Sequence, residues 1–329
     1  MSRDAGLLLA IETSCDETAA ALLDGSGRLR SSVVSSQADL HARFGGVVPE
    51  IASRRHLELI GPVIREALAE AGAGLDDVDR VAVTRGPGLI GALLVGLATA
   101  KALAWARGLP LIPVDHLNGH VAALFLEPDA LEPPFLCLLA SGGHTLLLDV
   151  RDHTSFGLVG GTLDDAAGEA FDKGARLLGL GYPGGAALDR LASEGDPDAY
   201  SFPVAKLEGF DFSFSGLKTA LLYAVRELAP EELERRRADL AASYQHAIVR
   251  ALVERTQAAA EEIRAERIGV AGGVGANSEL RKALAGAALT PLPLCTDNAA
   301  MIASAARYLE PIAPPGYLDL DAYASRQLA

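Results

Sequence analysis

Cysteine, methionine, tryptophan and positive charge are all scarce in this 329-residue chain. Its 3 cysteines, Cys15, Cys137 and Cys295, lie far apart, are odd in number and form no CxxC pair. That excludes a disulfide scaffold or a cysteine-built zinc ribbon and suits a reducing compartment, the cytoplasm. Lys and Arg number 29 against 43 Asp and Glu, a formal charge of −14. Bulk charge therefore cannot hold a nucleic acid, and such a partner needs a local cationic patch or a helper protein. A signal-peptide pattern is lacking, since the apolar run after Asp4 soon meets Glu12 and Asp16. The most apolar stretch, Leu89 to Trp105, is broken by Gly91, Gly96 and Lys101; it reads as a buried helix, with no membrane role.

What is present is a large apolar fraction, 50%, and 34 glycines, enough for two domains or one large one with many tight turns. The central feature is His116-Leu117-Asn118-Gly119-His120, which follows the apolar run Leu109 to Val114. A helix starting there puts both imidazoles on one face, one turn apart, where they can grip one divalent metal. The commoner reading of HxxxH is two unrelated histidines. Against it stand the chain's total of only 7 histidines and the position just after a strand, where α/β proteins place their sites. Leu117 stands where a zinc protease needs Glu, which disfavours a peptidase.

Two segments share one pattern. Leu7 to Ile11 and Ala19 to Leu23 flank a hydroxyl-rich turn; Phe135 to Leu139 and Leu146 to Val150 flank Ala140 to Thr145. Each reads as a β-hairpin, and together they form a coarse internal repeat. The proline-rich stretch 127–134 between them is the best linker. Arg85 to Leu89 reads as a strand-to-helix turn, and the helix from Ala92 ends at Gly108. Gly160 to Asp165 opens a helix with Asp164 or Asp165 as its cap. Asp211 to Thr219 reads as a loop exposing aromatics, hydroxyls and a lysine, suited to stacking on a base or holding a phosphate, or else packed inward. The strand Arg267 to Ala271 leads through Gly272 to Glu279 into a helix, a place for a nucleotide. Leu292 to Asn298 reads as a short strand. Asp297 either caps the helix Ala299 to Leu309 or supplies a third metal ligand; two imidazoles and a carboxylate suit Fe(II) or Zn.

Ten ordered motifs, among them IETSCDET at 11–18, HLNGH at 116–120, SGGHT at 141–145, DDAAGEAFDK at 164–173, DFSFSGLKTA at 211–220, GGVGAN at 272–277 and TDNAAMIA at 296–303, resemble the TsaD family, the tRNA N6-adenosine threonylcarbamoyltransferases. The resemblance covers nearly the whole chain. It implies an α/β fold of two actin-like ATPase (ASKHA) domains with a central cleft: 1–127, 134–305, and a segment 306–329 returning to the first. It implies metal ligands His116, His120 and Asp297, usually holding iron, with zinc the other option. Substrate would sit against Leu139, Ala140, Ser141, Gly142, Gly143, Asp172, Gly185, Asp189 and Asn277, with Ser141 to Gly143 presenting N–H donors. The implied reaction moves threonylcarbamoyl from threonylcarbamoyl-AMP to N6 of adenosine 37 in tRNAs reading ANN codons, releasing AMP. Glu12 and His144 are the candidate general bases. Leu139 and His144 follow the bacterial pattern, which implies TsaB-like and TsaE-like partners. An ATP-hydrolysing or sugar-kinase-like member of the same fold is the competing reading.

Overall fold

The computed structural model describes residues 6–126 and 128–325, so Glu127, at the head of the expected linker, lies outside the described residues. The chain divides into two compact units: Met1–Glu132 with Asp152–Ser155 and Thr296–Ala329, and Pro133–Arg151 with Phe156–Cys295.

In the first unit five strands form one sheet: β1 (Leu7–Glu12), β2 (Glu17–Leu23), β3 (Leu29–Ser36), β4 (Val78–Gly86) and β5 (Leu111–Asp115), in the order β3-β2-β1-β4-β5. β1 pairs antiparallel with β2, and β2 with β3; β1–β4 and β4–β5 are parallel. β1 and β2 are buried almost throughout because the sheet is covered on both faces. The helices are α1 (Ala38–Ala42), α2 (Pro49–Ala71), α3 (Ile90–Arg107) and α4 (His116–Ala122). α3 is long and apolar enough to cross a membrane by length and composition. Here it packs on β4 and α2, burying Leu93, Leu97, Ala100 and Ala104, and ends at Gly108 with φ 64° as expected. Its other face exposes Ile90, Leu94 and Trp105, so the helix is only half buried.

The second unit repeats the plan. β6 (Phe135–Ala140), β7 (Thr145–Val150), β8 (Phe156–Gly161), β9 (Ile268–Ala271) and β10 (Ala288–Leu289) run in the order β10-β9-β6-β7-β8, antiparallel through β6-β7-β8 and parallel through β6-β9-β10. Helices α5 (Ala167–Leu177), α6 (Gly184–Ala192), α7 (Ser215–Arg226), α8 (Pro230–Glu262) and α9 (Ser278–Ala283) complete it. The apolar stripe of α5, Ala167, Ala170, Phe171 and Gly174, is buried as its spacing predicts.

Three sequence expectations are corrected, and the alternative left open for Phe212 and Phe214 is decided. Asp164 and Asp165 do not cap α5, whose cap residue Ala166 offers no side-chain bond. Asp164 instead accepts hydrogen bonds from the N–H groups of Phe214 and Ser215 and the hydroxyls of Ser213 and Ser215, at the start of α7. These donors hold its carboxyl below the usual range although burial works the other way. Phe212 and Phe214 are not exposed; they stack on each other within the core. Leu292–Leu294 is a helical turn, not a strand, because Pro291 and Pro293 deny it ladder N–H groups. Finally, α10 (Ala299–Ala306), placed by the sequence in the second domain, packs against β1, β2 and α4 in the first unit. Its residues are entirely apolar or small and fully buried, so only a core position suits them. The chain beyond it stays in that unit: Ile312 bridges Leu111, and Arg85 Nε donates to the carbonyl of Asp321 at 2.7 Å.

Candidate functional site

The HxxxH segment forms α4, directly after β5. Asp115 caps it, its Oδ1 accepting from the N–H groups of Leu117 (2.9 Å) and Asn118 (3.3 Å). The helix holds both imidazoles on one side, ring centroids 4.7 Å apart. Asp297 arrives from the loop before α10. Asn298, not Asp297, caps that helix, through Oδ1 to the N–H of Met301 at 2.9 Å. Gly119 lets the two helices meet: a Cβ there would stand 2.7 Å from Ile302 Cδ1. Ser304 Oγ ties the contact by donating to the carbonyl of Ala122.

The three side chains converge. Asp297 Oδ1 lies 3.2 Å from His120 Nε2 and 3.6 Å from His116 Nε2. One donor atom from each residue falls within 4.8 Å of the others. Donors bonded to one cation at about 2.1 Å, with tetrahedral or octahedral angles, stand about 3.0–3.4 Å apart, so the set is close to a ligand triad. Chemistry supports the fit. His120 is buried, and among the described residues neither ring nitrogen makes a hydrogen bond of good geometry, Nε2 having only the Asp297 carboxylate within reach. A buried imidazole without partners is costly unless a lone pair goes to a metal.

His116 is oriented from behind. Its Nδ1 lies 3.1 Å from Glu12 Oε2 and 3.1 Å from Ser14 Oγ, which turns Nε2 toward Asp297 and His120. Glu12 is itself fixed, accepting from Thr84 Oγ1 at 2.6 Å and from the N–H of Ser14. Carboxylate, imidazole and open Nε2 form the arrangement that supports metal-bound histidines. The sequence suggested Glu12 only as a base; its position at the end of β1, beside β4, is what makes it a second support. The charge around the triad is strongly negative. Burial pulls the His116 imidazole down, but Asp297 and Glu12 outweigh it and raise its pKa to about 9. Burial and the carboxylates of Asp297 and Asp16 push the Glu17 carboxyl well up, and burial with Asp297 does the same to the Cys15 thiol. A divalent cation would relieve this repulsion. His116, His120 and Asp297 could therefore hold one metal ion.

The other predicted residues lie in the second unit: Leu139 to Gly143 and Asn277 at or just beyond the carboxyl ends of β6 and β9, which run parallel with Leu139 opposite Ala271, Asp172 on α5, and Gly185 and Asp189 on α6. The turn Ser141 to His144 closes on itself: the N–H of Ser141 donates to the His144 carbonyl, and the His144 N–H to Ser141 Oγ. Ser141 N–H is thus already used, and only Gly142 and Gly143, both exposed with nothing within 4 Å of a Cβ position, leave room for a ligand. Gly272 must be glycine, since φ is +89° and a Cβ would stand 2.4 Å from the Ala140 carbonyl oxygen. Asp172 Oδ1 accepts from the N–H of Gly184 at 2.8 Å, tying α5 to the start of α6 beside Gly185. Asp189 and Asn277 are joined directly, Asn277 Nδ2 donating to Asp189 Oδ1 at 3.1 Å. Spacing gave no sign of their further partners, Gln245 and Ser278.

Comparison with known proteins bears on these sites. The family model described as TsaD, tRNA N6-adenosine threonylcarbamoyltransferase, matches residues 28–304. A protein of that name from Symbiobacterium thermophilum is 55% identical over 326 residues, covering 96% of this chain and 95% of its own. One from Anaeromyxobacter dehalogenans is 56% identical over 309 residues, covering 91% and 92%. Solved structures of much lower identity share the fold alone. HypF from T. kodakarensis has a TM-score of 0.61 at 16% identity, over 92% of this chain and 47% of that one. The (R)-2-hydroxyglutaryl-CoA dehydratase component A of Acidaminococcus fermentans has a TM-score of 0.56 at 16% identity, over 93% and 98%. These neighbours share the two-sheet α/β fold, whereas identity along most of the sequence is to the transferases. The chain belongs to the TsaD family, the tRNA N6-adenosine threonylcarbamoyltransferases.

Proposed function

We propose that the chain transfers the threonylcarbamoyl group of threonylcarbamoyl-AMP to N6 of adenosine 37 in tRNAs reading ANN codons, releasing AMP. The observation that carries this reading is the convergence of His116, His120 and Asp297 in a chain that matches the family over residues 28–304. The donor is an activated mixed anhydride, so the protein's work is positioning and charge handling. A divalent ion held by the triad, Fe(II) or Zn, would supply Lewis-acid polarisation. Glu12 and Ser14 keep His116 in the tautomer that leaves Nε2 toward the triad. In the second unit, Leu139 to Gly143 form the floor and turn against which the nucleotide lies, with the N–H groups of Gly142 and Gly143 as donors. Asp172, Gly185, Asp189 and Asn277 line the helix starts beside that turn and suit ribose hydroxyls. Glu12 is already engaged by three donors, so of the two candidate bases His144, at the glycine turn, is the one we retain. The acidic chain gains tRNA affinity from TsaB-like and TsaE-like partners and works in the cytoplasm.

The test is direct. Labelled threonylcarbamoyl-AMP is incubated with the protein, its partners and an ANN-decoding tRNA. Label enters the tRNA with release of AMP, and does not enter a tRNA lacking adenosine 37. Release of ADP from ATP without tRNA, with no label transferred, would replace this reading by the ATP-hydrolysing one.

A further inference from the structure

Asn277 ends the turn after β9, and its surroundings fix which way its amide faces. Its Oδ1 accepts from the backbone N–H groups of Glu279 at 3.1 Å and Leu280 at 2.9 Å, capping α9. Nδ2 must therefore donate on the other side, and it does so twice: to Asp189 Oδ1 at 3.1 Å and to Gln245 Oε1 at 2.8 Å. Asp189 in turn accepts from the N–H of Ser278 at 3.1 Å and its hydroxyl at 2.8 Å. Three helices, α6, α8 and α9, are joined by one chain of hydrogen bonds.

Gln245 is the unexpected member. It lies on α8 among Leu240, Ala241, Tyr244, Ala247 and Ile248, all buried, and is itself only 4% exposed. A glutamine in such a place costs free energy unless its polar atoms are paired, and an alkyl chain would pack there without that cost. We propose that Gln245 is a positioning residue for the nucleotide end of the donor: its Oε1 holds Asn277 Nδ2 and so fixes the amide plane that meets the Asp189 carboxylate. The inference rests on the reading that Asn277 and Asp189 meet the nucleotide. Without the Gln245 acceptor, Asn277 still caps α9 and the fold persists. What changes is the Asn277 amide plane, which the cap alone leaves able to swing about its terminal torsion, and with it the bond to Asp189, whose carboxylate Ser278 still holds.

The experiment compares Gln245→Met, which keeps length and removes the acceptor, with Gln245→Glu, which keeps an acceptor oxygen at the same reach. The readouts are the Kd for AMP by calorimetry, the KM and kcat for threonylcarbamoyl-AMP in the full transfer reaction, and the bound metal per chain. Losing one partner of a buried amide predicts about tenfold weaker AMP binding and about tenfold higher KM for Gln245→Met, with kcat changed less than about twofold. Gln245→Glu keeps the acceptor but buries a charge near Asp189, so it recovers only part of the Gln245→Met loss, and metal content is unchanged in both. Parent-like AMP binding by Gln245→Met would overturn the proposal while leaving the transferase reading intact. Equal weakening in both variants would also overturn it, since the amide N–H group that both lose, and not the acceptor in which they differ, would then matter. A parent protein that neither binds AMP nor transfers would remove the underlying reading itself.

Discussion

The two units have one topology and two chemistries. In each, a first strand forms a hairpin with the second, and two parallel strands follow beside the first. The hairpin tips have the same length, residues 13–16 between β1 and β2 and residues 141–144 between β6 and β7. In each, a glycine after the next parallel strand lies against that tip: Gly88 against Ser14, Gly272 against the end of β6. The first unit then places Glu12, Ser14 and the α4 imidazoles at its strand ends. The second places Ala140, glycines and Asn277. The backbone plan makes room at the carboxyl ends of the strands, and on the function proposed above the residues there suit a cation in one unit and a nucleotide in the other.

Breaking the shared element gives the largest effect. Gly272→Ala forces a Cβ against a backbone oxygen at a φ of +89°, and neither can yield cheaply. We expect a loss of about 3 kcal/mol in urea denaturation, with AMP binding abolished and bound metal retained. Gly88→Ala meets the Ser14 carbonyl oxygen at 2.6 Å and should show the reverse, metal lost and AMP retained. Equal losses of both ligands in each variant would show that the two strand-end sites are not separable.

Removing a ligand comes next. His120→Ala takes one of three donors, and metal affinity should fall by more than about 100-fold, read by elemental analysis after dialysis at fixed metal concentration. Glu12→Ala leaves all three donors but frees the His116 ring, so a fall of about 10–100-fold is expected by the same measurement. If Glu12→Ala matches His120→Ala, Glu12 is itself a ligand. If it binds metal like the parent, the imidazole needs no support.

Much of this was legible in the sequence where local chemistry decides. The hairpins follow from apolar, polar, apolar alternation, and the HxxxH helix from its place after a strand. Asp297 could not be decided from sequence, because cap and ligand look alike there; Asn298 takes the cap, which removes that alternative and leaves Asp297 beside both imidazoles. Asp164 was misplaced because its partners, Ser213 to Ser215, are about fifty residues away in the chain and near only in the fold. Phe212 and Phe214 sit among hydroxyls that suggest a surface, yet they point into the core. Gln245 carried no signal: one polar residue in a long helix reads as part of its wet face, and only the position of Asn277 shows otherwise.

The smallest effect distinguishes how the two tips are held. Ser141 to His144 is closed by its own hydrogen bonds and one from the Gly168 N–H to the Ser141 carbonyl, whereas the first tip is pinned by a side chain, His56 on α2. His56 is fully buried; its Nε2 lies 2.9 Å from the Cys15 carbonyl oxygen and its Nδ1 2.8 Å from Thr18 Oγ1. That set suits the neutral ring, with Nε2–H donating and Nδ1 accepting, and burial lowers its pKa despite the carbonyl contact. The unfolded chain therefore takes up the proton first. The stability tied to a neutral His56 is complete above the unfolded value of about 6.5 and falls as pH drops below it, by at most about 1.4 kcal/mol per unit. His116 has the opposite sign, with its pKa raised, but it is common to both proteins if His56→Gln is compared with the parent. Between pH 7.5 and 5.5 the parent should lose up to about 1 kcal/mol more than His56→Gln in urea denaturation of the metal-free protein. Equal losses would mean that the first tip, like the second, holds itself.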